Sequence, residues 1–369
     1  MSVVAAPVRL SACDCLTPLG DAASTHAALL ASTCALRPTP VLGKLGGDAV
    51  PMALLPGRAL DETAPPSWLP RLKAFLAPVL DRPWGSARYP VCVTSSNFGV
   101  GSLFAFRHSG GPDFVNHGTP HASVAGIARA CDWGDNLAVF SHACVSAHLG
   151  LMHASRLLAA GAADEVLVFT YDFLSPFVAG GFHALKILNA QFPAPYMARE
   201  TGSIALGDGA AYAVVTRQTG AFTIVSQSLH NEMHHFTANQ PDGAGFAAVL
   251  APLEPCVRGA RAWVKGHGTG TLEAGRLEAE AMQRAFGDAP LVGWKGSLGH
   301  TLGSCGLVEL ALVAQSMRAG RVPPTVGTSS PTFTDTVATT AFDASAYDTV
   351  VCSSNAFGGA HAALVLRHA

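Results

Sequence analysis

Short apolar runs alternate with longer stretches of helical spacing along the chain, a pattern typical of α/β proteins with buried sheets. The apolar runs predict strands at residues 3–12, 91–95, 137–141, 165–170, 204–215, 222–227, 262–265, 291–294, 349–352 and 362–367. Helical spacing predicts helices at residues 22–32, 122–130, 145–160, 277–286 and 303–318. The Pro-rich region 37–70 predicts loops and short helices.

Two of the predicted helices carry almost no charge. Between residues 145 and 160 the only full charge is Arg156, and between 303 and 317 it is Glu309. A helix that is apolar on every face is buried on every face, so both are expected in the interior. One such helix in each half of the chain indicates an internal duplication, with halves at residues 1–217 and 218–369.

Composition adds an expectation of self-association. Of the 369 residues, 49% are hydrophobic and 13% are charged, which suits a large interior and an extensive subunit interface. A homodimer is therefore expected. The net charge of −2 gives no electrostatic reason to expect nucleic acid or an anionic membrane as partner.

Nothing in the first twenty residues has the pattern of a secretion signal, and the uncharged run 136–155 is interrupted by histidines and serines. A cytoplasmic protein without a membrane span is expected. The nine cysteines form no CxxC pair, which favours reduced thiols. His230, Glu232, His234 and His235 have no cysteine close by, so they are not expected to hold a metal.

Three small-residue turns each present a reactive side chain at the end of an apolar strand. They are Ala143-Cys144, the segment 266–271 with His267, and the segment 295–300 with His300. A cysteine at the start of a helix gains from free N–H groups and the macrodipole, which favour the thiolate. Taken singly, a buried thiol and two histidines beside glycines are more often structural. A nucleophile with two imidazoles is, together, a set suited to covalent catalysis.

These motifs resemble those of the β-ketoacyl-acyl-carrier-protein synthases, the ketosynthases of fatty-acid and polyketide assembly. The likeness rests on Ala-Cys-Val-Ser-Ala around Cys144, His-Gly-Thr-Gly-Thr from His267, Lys295 five residues before His300, and Gly-His-Thr-Leu-Gly-Ser-Cys-Gly at 299–306. It extends to the turns at 17–20, 207–210 and 354–359 and covers nearly the whole chain.

The resemblance implies the thiolase-like fold, a five-layer α-β-α-β-α sandwich built from two repeated halves. It implies a catalytic triad of Cys144, His267 and His300, with Lys295 and Glu278 in supporting positions. Phe357 and Gly358 are implied in the oxyanion hole and in gating. Thr269, Thr271 and Phe182 are candidate substrate-binding residues.

The implied reaction is decarboxylative condensation of malonyl carrier protein with an acyl group held on Cys144, in fatty-acid, polyketide or aryl-polyene-type biosynthesis. Acyl carrier protein is the implied partner, and no cofactor or metal is implied. The sequence departs from the family pattern at Lys265-Gly266, at Leu272-Glu273-Ala274-Gly275, at His142 and in a shorter final loop.

Two other functions stay open. The first is a non-elongating partner subunit of a ketosynthase heterodimer, similar to the chain-length factors, which usually lack the active cysteine. The second is an acyltransferase or thiolytic enzyme on the same fold. Thiolases generally carry a second cysteine near the C-terminus, and the candidate here, Cys352, falls within a predicted strand.

Overall fold

A computed structural model describes residues 2–3, 7–61, 68–111, 118–235 and 237–369. The strands are β1 (Ser2–Val3), β2 (Val8–Leu16), β3 (Arg37–Pro40), β4 (Ala49–Ala53), β5 (Val91–Thr94), β6 (Leu137–Phe140), β7 (Glu165–Asp172), β8 (Leu206–Gly207), β9 (Gly209–Thr216), β10 (Phe222–Asn231), β11 (Ala262–Lys265), β12 (Leu291–Val292), β13 (Arg321–Val322), β14 (Phe342–Asp343), β15 (Thr349–Ala356) and β16 (Ala360–His368). The helices are α1 (Ala22–Leu30), α2 (Trp68–Leu76), α3 (Val100–Ser109), α4 (Pro120–Ala130), α5 (Ser146–Ala159), α6 (Pro176–Ala184), α7 (Ala244–Leu250), α8 (Glu254–Val257), α9 (Leu272–Phe286), α10 (Lys295–Leu298) and α11 (Cys305–Ala319). Part of the predicted first strand, residues 4–6, lies outside the described residues.

Among the described residues, the main sheet has eleven strands: ten form two arrays of five that meet at β2 and β10, and β1 pairs with β10 beside them. The first array has the order β2-β9-β7-β5-β6 and the second β10-β16-β15-β11-β12. Counting outward from β2 in the first array and from β10 in the second, two antiparallel pairings are followed by two parallel pairings. The same order and directions in both arrays are the mark of a repeated unit. The predicted boundary at residue 217 falls between β9 and β10 and stays a prediction.

The two charge-poor helices lie between the arrays, as their composition predicts. α5 packs on β5 and β7, α11 packs on β2, β9 and β15, and the two helices contact each other. α2 and α4 pack on the outer side of the first array, while α7 and α9 cover that of the second. The predicted α-β-α-β-α layering is thereby confirmed. α5 ends before Gly161, whose φ of +68° suits the predicted terminating glycine.

The region predicted as loops and short helices also contains strands. β3, β4 and β8 form a small separate sheet. Pro38 and Pro40 lie in β3, an edge strand, where a missing N–H leaves no partner unsatisfied. Proline content therefore hid a strand that is tolerated only because it pairs on one side. No helix within the described ranges has the length and apolar character needed to cross a membrane.

Candidate active site

Cys144 lies in a tight turn between β6 and α5. The residue before it, Ala143, has a φ of +45°, a conformation that costs a non-glycine residue on the order of 1 kcal/mol or more. The Ser146 hydroxyl bridges the turn: it accepts from the His142 N–H at 2.8 Å and donates to the Ala143 carbonyl at 2.7 Å. These two bonds fix the backbone of the turn that carries Cys144.

His300 comes from the second half and lies against the thiol. Its Nε2 is 2.9 Å from Cys144 Sγ. The backbone of His300 is fixed on both sides, since its N–H donates to Ala205 O at 2.7 Å and its carbonyl accepts from Gly207 N at 3.0 Å. Gly299 before it has a φ of +70°, and a Cβ there would come within 2.5 Å of the Leu206 carbonyl. The glycine in this motif is therefore required by the close approach of two backbones.

His267 completes the group from the end of β11. Its ring lies nearly perpendicular to that of His300, at 89°, with the centroids 4.9 Å apart. Both histidines are buried, and neither Nδ1 atom has a hydrogen-bond partner among the described residues. The three residues that the sequence singled out thus converge: the Cys144 sulfur contacts the His300 ring, and the His300 ring lies against that of His267.

These side chains open onto a cavity of about 180 Å³. Its lining includes seven of the predicted site residues: Cys144, His267, His300, Thr269, Thr271, Phe182 and Phe357. The rings of Phe182 and Phe357 face each other with centroids 5.9 Å apart. Gly358 lies in the β15–β16 turn but does not line the cavity, whereas Gly359 does. Ile187 and Ile204, which no motif identified, add apolar wall.

Glu278 is buried outside the cavity lining and binds the backbone of the segment that carries His267. Its buried carboxylate accepts from the backbone N–H groups of His267, at 2.6 Å, and Gly268, at 3.0 Å. Three side chains also donate to it: Tyr196 Oη at 3.0 Å, Ser353 Oγ at 3.0 Å and Asn355 Nδ2 at 3.1 Å. With five donors, this carboxylate is satisfied without a cation in direct contact.

Lys295 fixes the other side of His267. Its Nζ donates to the His267 carbonyl at 2.8 Å and to Glu309 Oε1 at 2.6 Å. The second carboxylate oxygen of Glu309 binds the ammonium of Lys265. All three charged side chains are buried. The predicted supporting residues therefore act on the backbone of His267 rather than facing the cavity.

Burial dominates the electrostatics of the site. It lowers the pKa of both His267 and His300 well below the ordinary value, and the nearby Lys295 ammonium lowers them further. Both imidazoles are consequently neutral at physiological pH. Burial also raises the pKa of the Cys144 thiol well above its ordinary value, with Lys295 acting in the opposite direction.

The expectation that the helix start would favour the thiolate is therefore wrong for the resting site. α5 begins at Ser146, two residues after the cysteine, and burial of the sulfur raises the pKa of the thiol by more than the nearby Lys295 ammonium lowers it. The resting pair is a neutral thiol beside a neutral imidazole.

Several residues around the site were not identified from the sequence. Glu309 was visible only as an isolated charge in an apolar helix, which should have signalled a buried partner. Asp172 was not singled out at all. It is buried, accepts from Ser95 Oγ at 2.7 Å and Asn97 N at 2.9 Å, and burial raises its pKa to about 6.

Glu232, noted in the sequence beside three histidines, takes part in a hydrogen-bond network that includes two residues of the cavity lining, Asn239 and Asn355. It accepts from His361 Nε2 at 3.1 Å, Asn239 Nδ2 at 3.0 Å and Gln240 N at 3.2 Å. His361 Nδ1 in turn lies 2.9 Å from Asn355 Oδ1. Asn355 also donates to Glu278. The segment with Asn239 and Gln240 is therefore connected, through these bonds, to the carboxylate that binds the His267 backbone.

Comparisons with known proteins agree with the geometry. Residues 222–329 match the family described as β-ketoacyl synthase, C-terminal domain. A 3-oxoacyl-[acyl-carrier-protein] synthase 2 of Vibrio cholerae is 28% identical over 259 residues, covering 63% of this chain and 62% of that protein. The tetracenomycin polyketide synthase ketoacyl synthase alpha subunit of Streptomyces glaucescens is 30% identical over 252 residues, covering 62% of this chain and 59% of that protein. The chain thus spans about six tenths of the length of the curated relatives it matches.

Solved structures are similar over almost the entire chain. A type II polyketide ketosynthase, bound to a hexaketide and in complex with its acyl-carrier protein, has a TM-score of 0.84 at 16% identity, covering 99% of this chain and 100% of that one. A ketosynthase from Xenorhabdus doucetiae, in complex with its chain length factor, has a TM-score of 0.81 at 20% identity, covering 99% of this chain and 98% of that one. At such identities the likeness establishes the fold. Residues 222–329 are therefore similar to the C-terminal domain of the β-ketoacyl synthases, and the chain has the fold of the solved ketosynthases.

Proposed function

We propose that this protein is a β-ketoacyl synthase that condenses malonyl carrier protein with an acyl group held on Cys144, releasing carbon dioxide. The observation that carries the proposal is the 2.9 Å contact between Cys144 Sγ and His300 Nε2, with His267 perpendicular to His300 at the same cavity. A buried thiol needs a base to react, and two neutral imidazoles can donate N–H bonds to a developing oxyanion.

In the first half-reaction Cys144 takes the acyl group from a carrier-protein thioester. As Sγ attacks the thioester carbonyl, its proton passes to His300 Nε2, and the carrier thiolate that leaves receives that proton. One thioester is broken and one is formed, so no cofactor is consumed. The raised pKa of Cys144 makes this proton transfer necessary, because little thiolate exists beforehand.

In the second half-reaction malonyl carrier protein occupies the same cavity. Loss of carbon dioxide leaves an enolate whose oxygen accepts a hydrogen bond from a ring N–H of His267 and, once the neutral His300 ring has moved its proton from Nδ1 to Nε2, from His300 as well. The lowered pKa values of both rings keep them neutral, so they stabilise the enolate without protonating its carbon. The enolate carbon then attacks the acyl-Cys144 carbonyl.

The tetrahedral intermediate collapses to the β-ketoacyl carrier thioester and expels Cys144 as a thiolate, which takes one proton from solvent to restore the resting thiol. Its oxyanion is assigned to the backbone N–H groups of Cys144 and Phe357. Phe357 supports this assignment by lining the cavity within the short turn between β15 and β16. Removing one such donor typically costs about 3 kcal/mol of transition-state stabilisation.

Acyl carrier protein is the proposed partner, since the reaction needs a thioester donor and the similar ketosynthase is bound to one. A second subunit is also proposed. β6 forms one end of the main sheet and exposes the apolar side chain of Val139, which is 45% accessible. An apolar edge strand is suited to pairing with another chain. A homodimer is the proposed form; a related partner subunit, as in the Xenorhabdus complex, is the alternative. The cytoplasmic location stays a prediction.

The two other functions are less well supported. A non-elongating partner subunit usually lacks the nucleophile, whereas here the thiol faces two imidazoles. A thiolytic enzyme needs a second cysteine at the cavity, but Cys352 is buried in β15 and does not line it.

Mass spectrometry of the products tests the proposal. The protein is incubated with acyl and malonyl carrier proteins, beside the variants C144A and H300A. C256A, which changes a thiol that does not line the cavity, is the control. Wild type and C256A are expected to form β-ketoacyl carrier protein, and C144A and H300A are not. Acylation without a new carbon–carbon bond would indicate a transferase. Product formed only after a related subunit is added would indicate half of a heterodimer.

A further inference from the structure

The backbone of His267 is held by a closed ring of hydrogen bonds. On one side Glu278 accepts from the His267 N–H, and on the other Lys295 donates to its carbonyl. The two sides are joined through further buried groups. In order around the ring, the members are His267, Glu278, Ser353, Lys265, Glu309 and Lys295.

Lys265 is the member that joins the two sides. Its Nζ binds Glu309 and donates to the Ser353 carbonyl at 3.3 Å. Its side chain is 1% accessible, and the residue lies at the end of β11, two positions before His267. Lys265 is not among the residues that line the cavity, so a substrate held in the cavity is not expected to reach it.

We propose that Lys265 is a positioning residue for the condensation: it closes the hydrogen-bond ring that fixes His267 and supplies a second cation beneath the two imidazoles. This inference rests on the proposed function, because it assigns Lys265 a role in that reaction.

The charges of the ring explain why a lysine is needed there. Glu309 presents one carboxylate oxygen to each ammonium, so removal of either lysine leaves a buried oxygen without its cation. Burial alone would lower the pKa of Lys295, but the Glu309 carboxylate raises it and keeps that ammonium charged. Lys265 therefore holds Glu309 in the orientation in which Lys295 can reach His267.

The second cation also acts on the imidazoles themselves. After burial and Lys295, Lys265 is a further cause of the lowered pKa of His267 and His300. The charged and titratable groups around the two rings are Lys265 on β11, Lys295 on α10, Glu278 on α9, Glu309 and Cys305 on α11, Cys144 in the turn before α5, His148 on α5, Asp172 on β7 and His361 on β16. With Lys265 neutralised, both rings gain protons at higher pH.

Four variants test this role. K265M removes the cation and both hydrogen bonds, K265Q keeps an N–H donor without the charge, and K265R keeps the charge. K73M makes the same chemical change at an exposed position of α2 and serves as the control. Decarboxylation of malonyl carrier protein is followed from about pH 5 to about pH 9, with kcat and KM determined separately.

K265M and K265Q are expected to lower kcat about tenfold while KM stays within about twofold, because Lys265 touches no substrate. In the pH profile of kcat, the acid limb of both variants is expected to move up by about one pH unit. K265R is expected to recover most of kcat. K73M is expected to match wild type. A lower melting temperature with an unchanged kcat and pH profile would reduce Lys265 to a structural residue and overturn the proposal. If K265M does not fold, K265Q carries the same test.

A readout independent of turnover separates this inference from the proposed function. ¹⁵N-histidine NMR follows the protonation of His267 and His300, assigned with H267N and H300N. Titration at higher pH in K265Q than in wild type supports the role of Lys265 even if wild type shows no decarboxylation, which would refute the proposed function alone. Coincident titration in K265Q, K73M and wild type would overturn the inference.

Discussion

The two central helices occupy equivalent positions in the repeated halves, yet they contribute different chemistry. α5 follows the turn that presents Cys144, and its buried polar side chains, such as Ser155, make neutral hydrogen bonds. α11 carries Glu309, which binds two lysine ammoniums. The duplicated topology therefore fixes where the helices lie but not what they do. The turn that carries Cys144 is bridged by a neutral hydroxyl, whereas the segment that carries His267 is held by buried charges.

The comparison predicts the largest difference in activity between variants of Cys144, in the turn before α5, and Cys305, the first residue of α11. C144A is expected to lower condensation by about a thousandfold or more, because the covalent intermediate is lost. C305A removes a sulfur that donates weakly to the Cys144 carbonyl at 3.4 Å, and activity is expected to stay within about tenfold of wild type. β-Ketoacyl product per unit time measures both. Equal losses would contradict the assignment of Cys144 as sole nucleophile.

The ionic support of the second half predicts a large effect on stability. E309Q leaves two buried ammoniums without a carboxylate and is expected to lower the free energy of unfolding by about 3–5 kcal/mol. S155A in α5 removes the hydroxyl that accepts from Gln227 Nε2 at 2.7 Å, with an expected loss of about 1–2 kcal/mol. Urea denaturation compares them. Similar losses would show that the two helices are supported alike.

The neutral buried histidines predict how stability depends on pH. His148, whose pKa burial lowers to about 3, and His267 and His300, whose pKa values are also lowered, bind fewer protons folded than unfolded. Stability is therefore highest above the unfolded pKa of about 6.5 and falls as pH drops below it, by about 1.4 kcal/mol per histidine per pH unit. Urea midpoints between about pH 7 and pH 5 measure the slope.

A matched pair of variants assigns that slope to the buried rings. H148F is expected to reduce it, whereas H108N changes an exposed histidine of α3 and is expected to leave it unchanged. An H148F slope equal to that of wild type would argue against a neutral buried His148.

The smallest effects are expected where a single hydrogen-bonding group is removed. The Cys144 turn depends on one hydroxyl, whereas Glu278 has five donors. S146A removes the single hydroxyl that bridges the Cys144 turn and is expected to slow acylation about tenfold. Y196F removes one of five donors to Glu278 and is expected to lower stability by about 1 kcal/mol, with acylation within about twofold of wild type. Single-turnover acylation distinguishes the two. A larger loss of acylation rate in Y196F would reverse the comparison.

The sequence predicted much of this architecture. Charge-poor helical spacing identified α5 and α11, and the glycine-framed motifs identified Cys144, His267 and His300, which the structure brings together. Local patterns succeed here because burial on all faces and close backbone approach restrict the residues allowed at each position.

What the sequence did not predict depends on contacts between distant segments. Lys265 and Glu309 lie 44 residues apart in the chain, so neither residue alone reveals the ion pair. The protonation of Cys144 depends on how much of its sulfur is buried, which a helix-start argument does not contain. The edge strand β3 was hidden by its prolines, whose tolerance depends on pairing.

Peptide mass analysis of Cys144 tests the central claim most directly. After incubation with acyl carrier protein, the peptide that contains Cys144 is expected to carry the acyl mass. On addition of malonyl carrier protein, that mass is expected to disappear as β-ketoacyl carrier protein forms. An acyl mass on another residue, or one that persists on Cys144 without condensation product, would contradict the account.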